Sequence, residues 1–198
     1  MRLVCGSVRT VEEFLRRHPL PPHLREGSIS IDLGCGVCPR NPYLASRVVG
    51  LDKCFSDDNN LIEQGEEVSF VHADLFSSLI PLAEASVSVV TAFDFIEHVP
   101  RVDLSRGVRY PFVDLMSDVH RVLIPGGYFF SKTPAYPFAQ AFQDPTHVNI
   151  ITENTFPCFC SADGFHPQAS IYGFRGRFKL LDQKWWGRAW LLTLLQAC

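Results

Sequence analysis

The sequence predicts a doubly wound α/β fold: a mostly parallel, seven-stranded sheet with an antiparallel edge and an abbreviated first crossover. Three observations carry this. Ser28–Asp52 reads as a buried strand, a glycine turn and a second strand that ends in a carboxylate. Further apolar runs recur at 68–72, 85–95 and 128–132. One amphipathic stripe, from Pro111 through Phe112, Leu115, Met116, Val119, Val122 and Leu123, separates the last two and marks a helix.

Taken in order, Thr10 is an N-cap with Glu13 at the capping-box position, opening a helix through Val11, Phe14 and Leu15 that Pro19, Pro21 and Pro22 end. Ile29, Ile31 and Leu33 alternate along the first strand. Gly34 and Gly36 then free the turn of Cβ atoms. Asp52 closes the second strand, 18 positions after Gly34. A carboxylate there can accept both hydroxyls of a ribose, so a nucleoside-containing cofactor is the first hypothesis. Between the two strands, Pro39 and Pro42 leave room only for a turn or a very short helix, which opens the cofactor side of the turn. The polar stretch Ser56 to Glu67 reads as a loop or weak helix, and Val68 to Asp74 as a third strand ending in a carboxylate. Ala85 to Phe95 is the fourth strand, running into Asp94, Glu97 and His98. Pro125-Gly126-Gly127 turns the chain into the fifth strand, Tyr128 to Lys132. Thr152 to Thr155 caps a short helix within a long Pro-rich and aromatic segment. Ser170–Tyr172 and Phe178–Trp186 are the last two strands, antiparallel if Gly173 to Gly176 is a hairpin. The whole of 1–198 reads as one domain, with 1–27 a helical lead-in and 133–169 a substrate-side insertion.

Composition narrows the function classes. The net charge is −3 and the pI about 6.1, so no general basic field draws the chain to nucleic acid. The N-terminus has no apolar signal-peptide core, and no run of about 18 apolar residues marks a transmembrane helix, so a cytoplasmic location is expected. Seven cysteines, an odd number, point to reduced thiols. Cys35/Cys38 and Cys158/Cys160 read as small packing residues rather than a zinc site. The aromatic tail Trp185, Trp186, Trp190 with Leu191, Leu192, Leu194 and Leu195 reads as core or a homo-oligomer surface, with a shallow membrane contact as a lesser alternative.

Five blocks in this order resemble class I S-adenosylmethionine-dependent methyltransferases. They are Asp32-Leu-Gly-Cys-Gly36, Asp52, Ala73-Asp-Leu75, Phe93-Asp-Phe-Ile-Glu-His98 and Leu123-Ile-Pro-Gly-Gly127. The resemblance implies a Rossmann-like methyltransferase fold and S-adenosylmethionine as cofactor, with S-adenosylhomocysteine as product. It implies that Gly34, Cys35 and Gly36 lie against the methionine part, with Asp32 near its amino group. Asp52 would hold the ribose, with Lys53 beside it. Asp74 would meet the adenine amino group, Leu75 its ring, and Phe93 the methionine end. The family's third glycine is replaced by Cys38. The longer run from Gly34 to Phe159 is similar to small bacterial methyltransferases associated with surface-polysaccharide biosynthesis, which implies a small-molecule or glycan acceptor.

Methyl transfer from a sulfonium needs an in-line nucleophile, and a base if that nucleophile is a hydroxyl. His98 and His147 are the candidate catalytic residues, with Asp144 placed to fix the His147 tautomer. Arg101, Arg109, Tyr110 and Tyr136 are weaker candidates for gripping the acceptor, against a reading as solvated loop. The primary reading uses no metal. A lesser one lets Asp94, Glu97, His98 and His147 bind a divalent cation, a set similar to that of metal-dependent 2′-O-methyltransferases of small RNA. Two other rivals stay open: a non-catalytic S-adenosylmethionine-binding module, and an NAD-dependent oxidoreductase. The oxidoreductase lacks its third glycine, because Pro39 stands there.

Overall fold

The structure, a computed structural model, describes residues 6–54, 59–63, 66–105, 107–161 and 165–198. Its strands are β1 (Ser7–Val8), β2 (Ile29–Leu33), β3 (Arg47–Asp52), β4 (Asn59–Glu63), β5 (Glu66–His72), β6 (Val87–Phe93), β7 (Leu123–Pro134), β8 (Phe178–Trp186) and β9 (Trp190–Ala197). They form one nine-stranded sheet in the order β1-β8-β9-β7-β6-β2-β3-β5-β4. From β7 through β5 every neighbouring pair is parallel, while β9 runs antiparallel to both β7 and β8. This is the doubly wound sheet with an antiparallel edge that the sequence predicts.

Side-chain alternation builds two cores from one sheet. Val90 and Ala92 of β6 pack with Phe112, Leu115, Met116 and Val119 of α2 (Pro111–Val122). Val89 and Phe93 face the opposite way and share a cluster with Phe14 and Leu15 of α1 (Val11–Arg16). The α1 cap forms as expected, since the Glu13 N–H donates to Thr10 Oγ1 at 3.0 Å. The Glu13 carboxylate in turn accepts the Arg9 N–H at 2.9 Å.

The first connection, residues 37–46, contains no helix. The Asn41 side chain closes it instead, donating to the Ala45 carbonyl at 2.9 Å and accepting the Ala45 N–H at 2.8 Å. The loop then packs directly on β3. A Cβ added at Gly50 would lie 2.5 Å from the Pro39 ring and 2.7 Å from Cys35 Sγ. A glycine in mid-strand therefore does what a crossover helix does elsewhere: it lets the connection cover the sheet.

Two expectations are corrected. Within the stretch read as a loop or weak helix, Asn59–Glu63 is an edge strand antiparallel to β5, with Glu63 opposite Glu66. A polar stretch has no apolar face to anchor a helix, whereas a sheet edge satisfies its backbone directly. Residues 55–58 and 64–65 of that stretch lie outside the described ones. Further on, Ser170–Tyr172 belongs to a 3-10 turn (Gln168–Tyr172) that ends on the left-handed Gly173, not to a strand. The closing hairpin is β8–β9, with Trp186 opposite Trp190.

That hairpin also places the leucines of the C-terminal tail. β9 lies between β7 and β8, and Leu191, Leu192, Leu194 and Leu195 are fully buried. These leucines are core, and so form no self-association or membrane surface. No helix among the described residues is long and apolar enough to cross a membrane. Leu194→Ala is expected to lower unfolding free energy by about 2–5 kcal/mol in urea denaturation. A loss below about 1 kcal/mol would contradict a central position for β9.

Candidate active site

The carboxyl ends of β2, β3, β5 and β6 converge on a cavity of about 450 Å³. Gly34 leaves β2 with φ +62°, and its N–H donates to the Leu51 carbonyl at 2.8 Å. Gly36, at φ +57°, donates its N–H to Asp52 Oδ2 at 2.9 Å. The other Asp52 oxygen accepts the Cys54 N–H at 2.9 Å. Burial by itself would raise this carboxyl, but the Cys54 and Gly36 donors outweigh it and hold Asp52 below the usual carboxylate range. Asp74 is held low by the Ser77 hydroxyl at 2.6 Å, with a weaker bond from the Phe76 N–H.

Of the predicted cofactor residues, Gly34, Asp52, Lys53, Asp74 and Leu75 line this cavity. Asp32, Cys35, Gly36 and Phe93 do not. Asp32 is fully buried behind the turn, accepting the Arg40 N–H at 2.9 Å and the Thr91 hydroxyl at 2.7 Å. Burial pushes its carboxyl up to about 6. Its visible work is to tie the first connection and β6 to the end of β2. Burial likewise pushes the Cys35 thiol up to about 12, in keeping with a packing residue. Phe93 lies on the α1 side under the Arg40 guanidinium, 4.7 Å from its ring centre. There it helps line a hollow of about 870 Å³ beside Pro42, Tyr43 and Leu44 of the first connection. The space beside the short first connection is thus on this face, apart from the cavity at the glycine turn.

Two aromatics of the cavity wall went unread in the sequence. Phe76 and Phe95 stack with ring centres 5.9 Å apart, and the Lys53 ammonium stands 5.7 Å over Phe76. Phe95 also covers the turn, since a Cβ on Gly34 would lie 2.2 Å from its ring. The only sequence signal was their position, just past a strand-terminal carboxylate or its neighbour.

The rim gathers both predicted catalytic residues. The His98 and His147 rings are edge to face, 4.8 Å between centres. Asp144 does not hold His147 through its side chain. It accepts the Thr146 hydroxyl at 2.6 Å, and Thr146 Oγ1 lies 2.9 Å from His98 Nδ1. A hydroxyl has one proton, and here it goes to the carboxylate. Thr146 therefore accepts from His98 Nδ1–H, which leaves the Nε2 lone pair free. Glu97 is buried beside them, with Oε2 accepting the Thr133 hydroxyl at 2.8 Å. Burial pushes its carboxyl up to about 7 despite that bond. Asp94, in the left-handed region at φ 51°, is engaged elsewhere, by the Lys132 ammonium and by Trp190 Nε1–H at 2.9 Å.

The weaker candidates separate. Arg101 donates to Asn149 Oδ1 at 2.6 Å and to the Ile150 carbonyl. Asn149 is buried and bonds the Glu97 and Ile96 carbonyls at 2.9 and 3.0 Å. This clamp, invisible in the sequence, fixes the insertion to the end of β6. Arg109 pairs with Asp114 at 3.0 Å, Tyr110 packs on Tyr172, and Tyr136 is exposed.

A family model described as a methyltransferase domain matches residues 31–131. No curated protein matches the sequence significantly. Among solved structures, an S-adenosylmethionine-dependent methyltransferase from Aquifex aeolicus is 12% identical, with TM-score 0.52, and the match covers 94% of this chain and 89% of that one. One from Archaeoglobus fulgidus is 16% identical, with TM-score 0.50, and the match covers 94% and 92%. Geranyl diphosphate methyltransferase in complex with S-adenosylmethionine is 12% identical, with TM-score 0.57, and the match covers 94% and 84%.

Two outcomes follow from the geometry. Gly34→Ala meets both the Phe95 ring and a backbone angle unsuited to side chains, whereas a Cβ at Gly36 meets nothing within 4 Å. Chemical denaturation should show Gly34→Ala costing more than Gly36→Ala, by about 1–3 kcal/mol. Equal costs would refute the Phe95 contact. For Asp32, a folded-state value near 6, against 3.8 unperturbed, favours the protonated form. Its contribution is fully present below about pH 4 and is lost as pH rises through 6, by about 3 kcal/mol. Asp32→Asn should flatten that part of the stability–pH curve; an unchanged slope would refute it.

Proposed function

The chain belongs to the methyltransferase-domain family, and we propose that it transfers a methyl group from S-adenosylmethionine to a hydroxyl or similar nucleophile on a small molecule or glycan intermediate. The observation that carries the cofactor reading is the convergence of Gly34, Asp52, Asp74 and Leu75 on one cavity. Each Asp52 oxygen accepts one backbone N–H and keeps a further lone pair for a ribose hydroxyl. Asp74 stands where an adenine amino group can donate to it, with Leu75 and Phe76 beside the ring. The Phe95 ring covers the glycine turn on the methionine side.

The acceptor side is the rim. His98 and His147 meet there, and the insertion 133–169 supplies Thr146 and His147 to it. In this reading those two histidines activate the acceptor. Attack in line on the methyl carbon releases S-adenosylhomocysteine. A net charge of −3 supports a small or glycan acceptor over RNA.

Calorimetry with S-adenosylmethionine, S-adenosylhomocysteine and NAD tests the cofactor. The first two should bind at micromolar levels and NAD should not. Asp52→Asn should weaken both by about tenfold, the equivalent of about 1.4 kcal/mol. Absence of micromolar binding to either sulfur cofactor would sink the reading.

A further inference from the structure

We propose that Glu97, His98 and His147 form a site for one divalent first-row transition cation, which takes the acceptor hydroxyl as a further ligand. The site stands on its own geometry. The role given to the acceptor rests on the methyltransferase reading above.

Each of the three residues offers a ligand atom, and these atoms lie within 4.8 Å of one another. Tetrahedral ligands about 2.1 Å from a metal lie about 3.4 Å apart, so a cation needs the set to close by at most about 1.4 Å. Side-chain rotation supplies that much. Buried polar atoms left without partners mark the same place. Glu97 is 1% exposed, and its Oε1 has no hydrogen-bond partner, although Oε2 is bonded to Thr133. His147 Nδ1 is likewise buried and unpartnered. Two buried lone-pair donors are thus left without a hydrogen-bond partner among the described residues.

The surroundings are those a metal site requires. Metal-bound histidines hold the proton of their other nitrogen in a bond to a carboxylate or its relay. The Asp144–Thr146–His98 chain does this, presenting His98 Nε2 as a free lone pair. Two imidazoles with one carboxylate suit manganese, iron, cobalt or zinc better than magnesium or calcium. Three protein ligands leave a position open, the pattern of a catalytic rather than a structural ion. Asp94 is not part of the set, because Lys132 and Trp190 hold it. The described cysteines stay outside it too.

In the reaction the cation polarises the acceptor O–H, and the proton leaves to solvent through the rim. The oxygen lone pair forms the new C–O bond as the methyl carbon's bond to sulfur breaks. The bonding pair returns to sulfur, giving the neutral thioether and a methyl ether. No oxidant or reductant is involved.

Cobalt titration of chelator-treated protein tests the site by visible absorption and calorimetry, with S-adenosylhomocysteine binding measured in parallel. One equivalent of Co²⁺ should bind, with affinity falling at least tenfold in His147→Ala and in Glu97→Gln. His147→Gln serves if the alanine variant melts early. S-adenosylhomocysteine binding by the variants shows that the fold is intact. No cobalt signal, or equal affinity in wild type and the His98→Ala/His147→Ala pair, overturns the cation site. Cobalt bound without S-adenosylhomocysteine leaves the site standing and removes only the methyltransferase reading.

Discussion

The bonds that close the glycine turn against β3 are the constraint on which the active-site cavity depends. Gly34 N–H reaches the Leu51 carbonyl and Gly36 N–H reaches the Asp52 carboxylate. Together they weld the end of one parallel strand to the end of the next. The turn can follow this path only with positive φ at both glycines. Asp52 is thereby oriented by the backbone it braces. The same carboxylate lines the cavity, so one residue both braces the turn and shapes the cavity wall. Asp32, beneath, repeats the logic in the interior by joining β2, β6 and the first connection.

From that weld the two sides of the site are built by different means. The floor of the cavity is made of strand ends, where parallel register sets positions residue by residue. The rim is made of loops, and loops need clamps. Asn149 supplies one by bonding two carbonyls at the end of β6 and receiving Arg101. The Asp144–Thr146–His98 chain supplies another. Between these clamps Glu97 and His147 keep polar atoms unsatisfied in a buried setting. Uncompensated burial of this kind costs free energy, and it persists where function uses it.

Residues whose role follows from chain-local pattern were legible in advance. Gly34, Asp52 and Asp74 stand at or just past strand ends set by period-two alternation and glycine placement, and all three line one cavity. Thr10 and Pro111 announced their helices through capping chemistry. What escaped was any role set by a distant partner. Asp144 lay close to His147 in sequence, yet it bonds Thr146 because the loop turns between them. Gly50 gave no sign that Pro39 and Cys35 would pack over it. The tail's leucines looked the same whether destined for core or surface, since hydrophobicity does not name its neighbour.

By itself, then, the sequence determined the parallel strands on either side of the glycine turn, the turn itself, the carboxylates after those strands and the shortness of the first connection. All of these are local: each depends on backbone angles or periodicity within a few residues. The tertiary structure alone decided that Trp190–Ala197 would be a central strand and that Asn59–Glu63 would extend an edge. It decided that Asp32 would be buried behind the cavity and that Glu97 would meet His98 and His147. Those outcomes require segments far apart in sequence to compete for the same sheet edge or the same enclosed volume. Packing settles that competition, and no short-range pattern records its result.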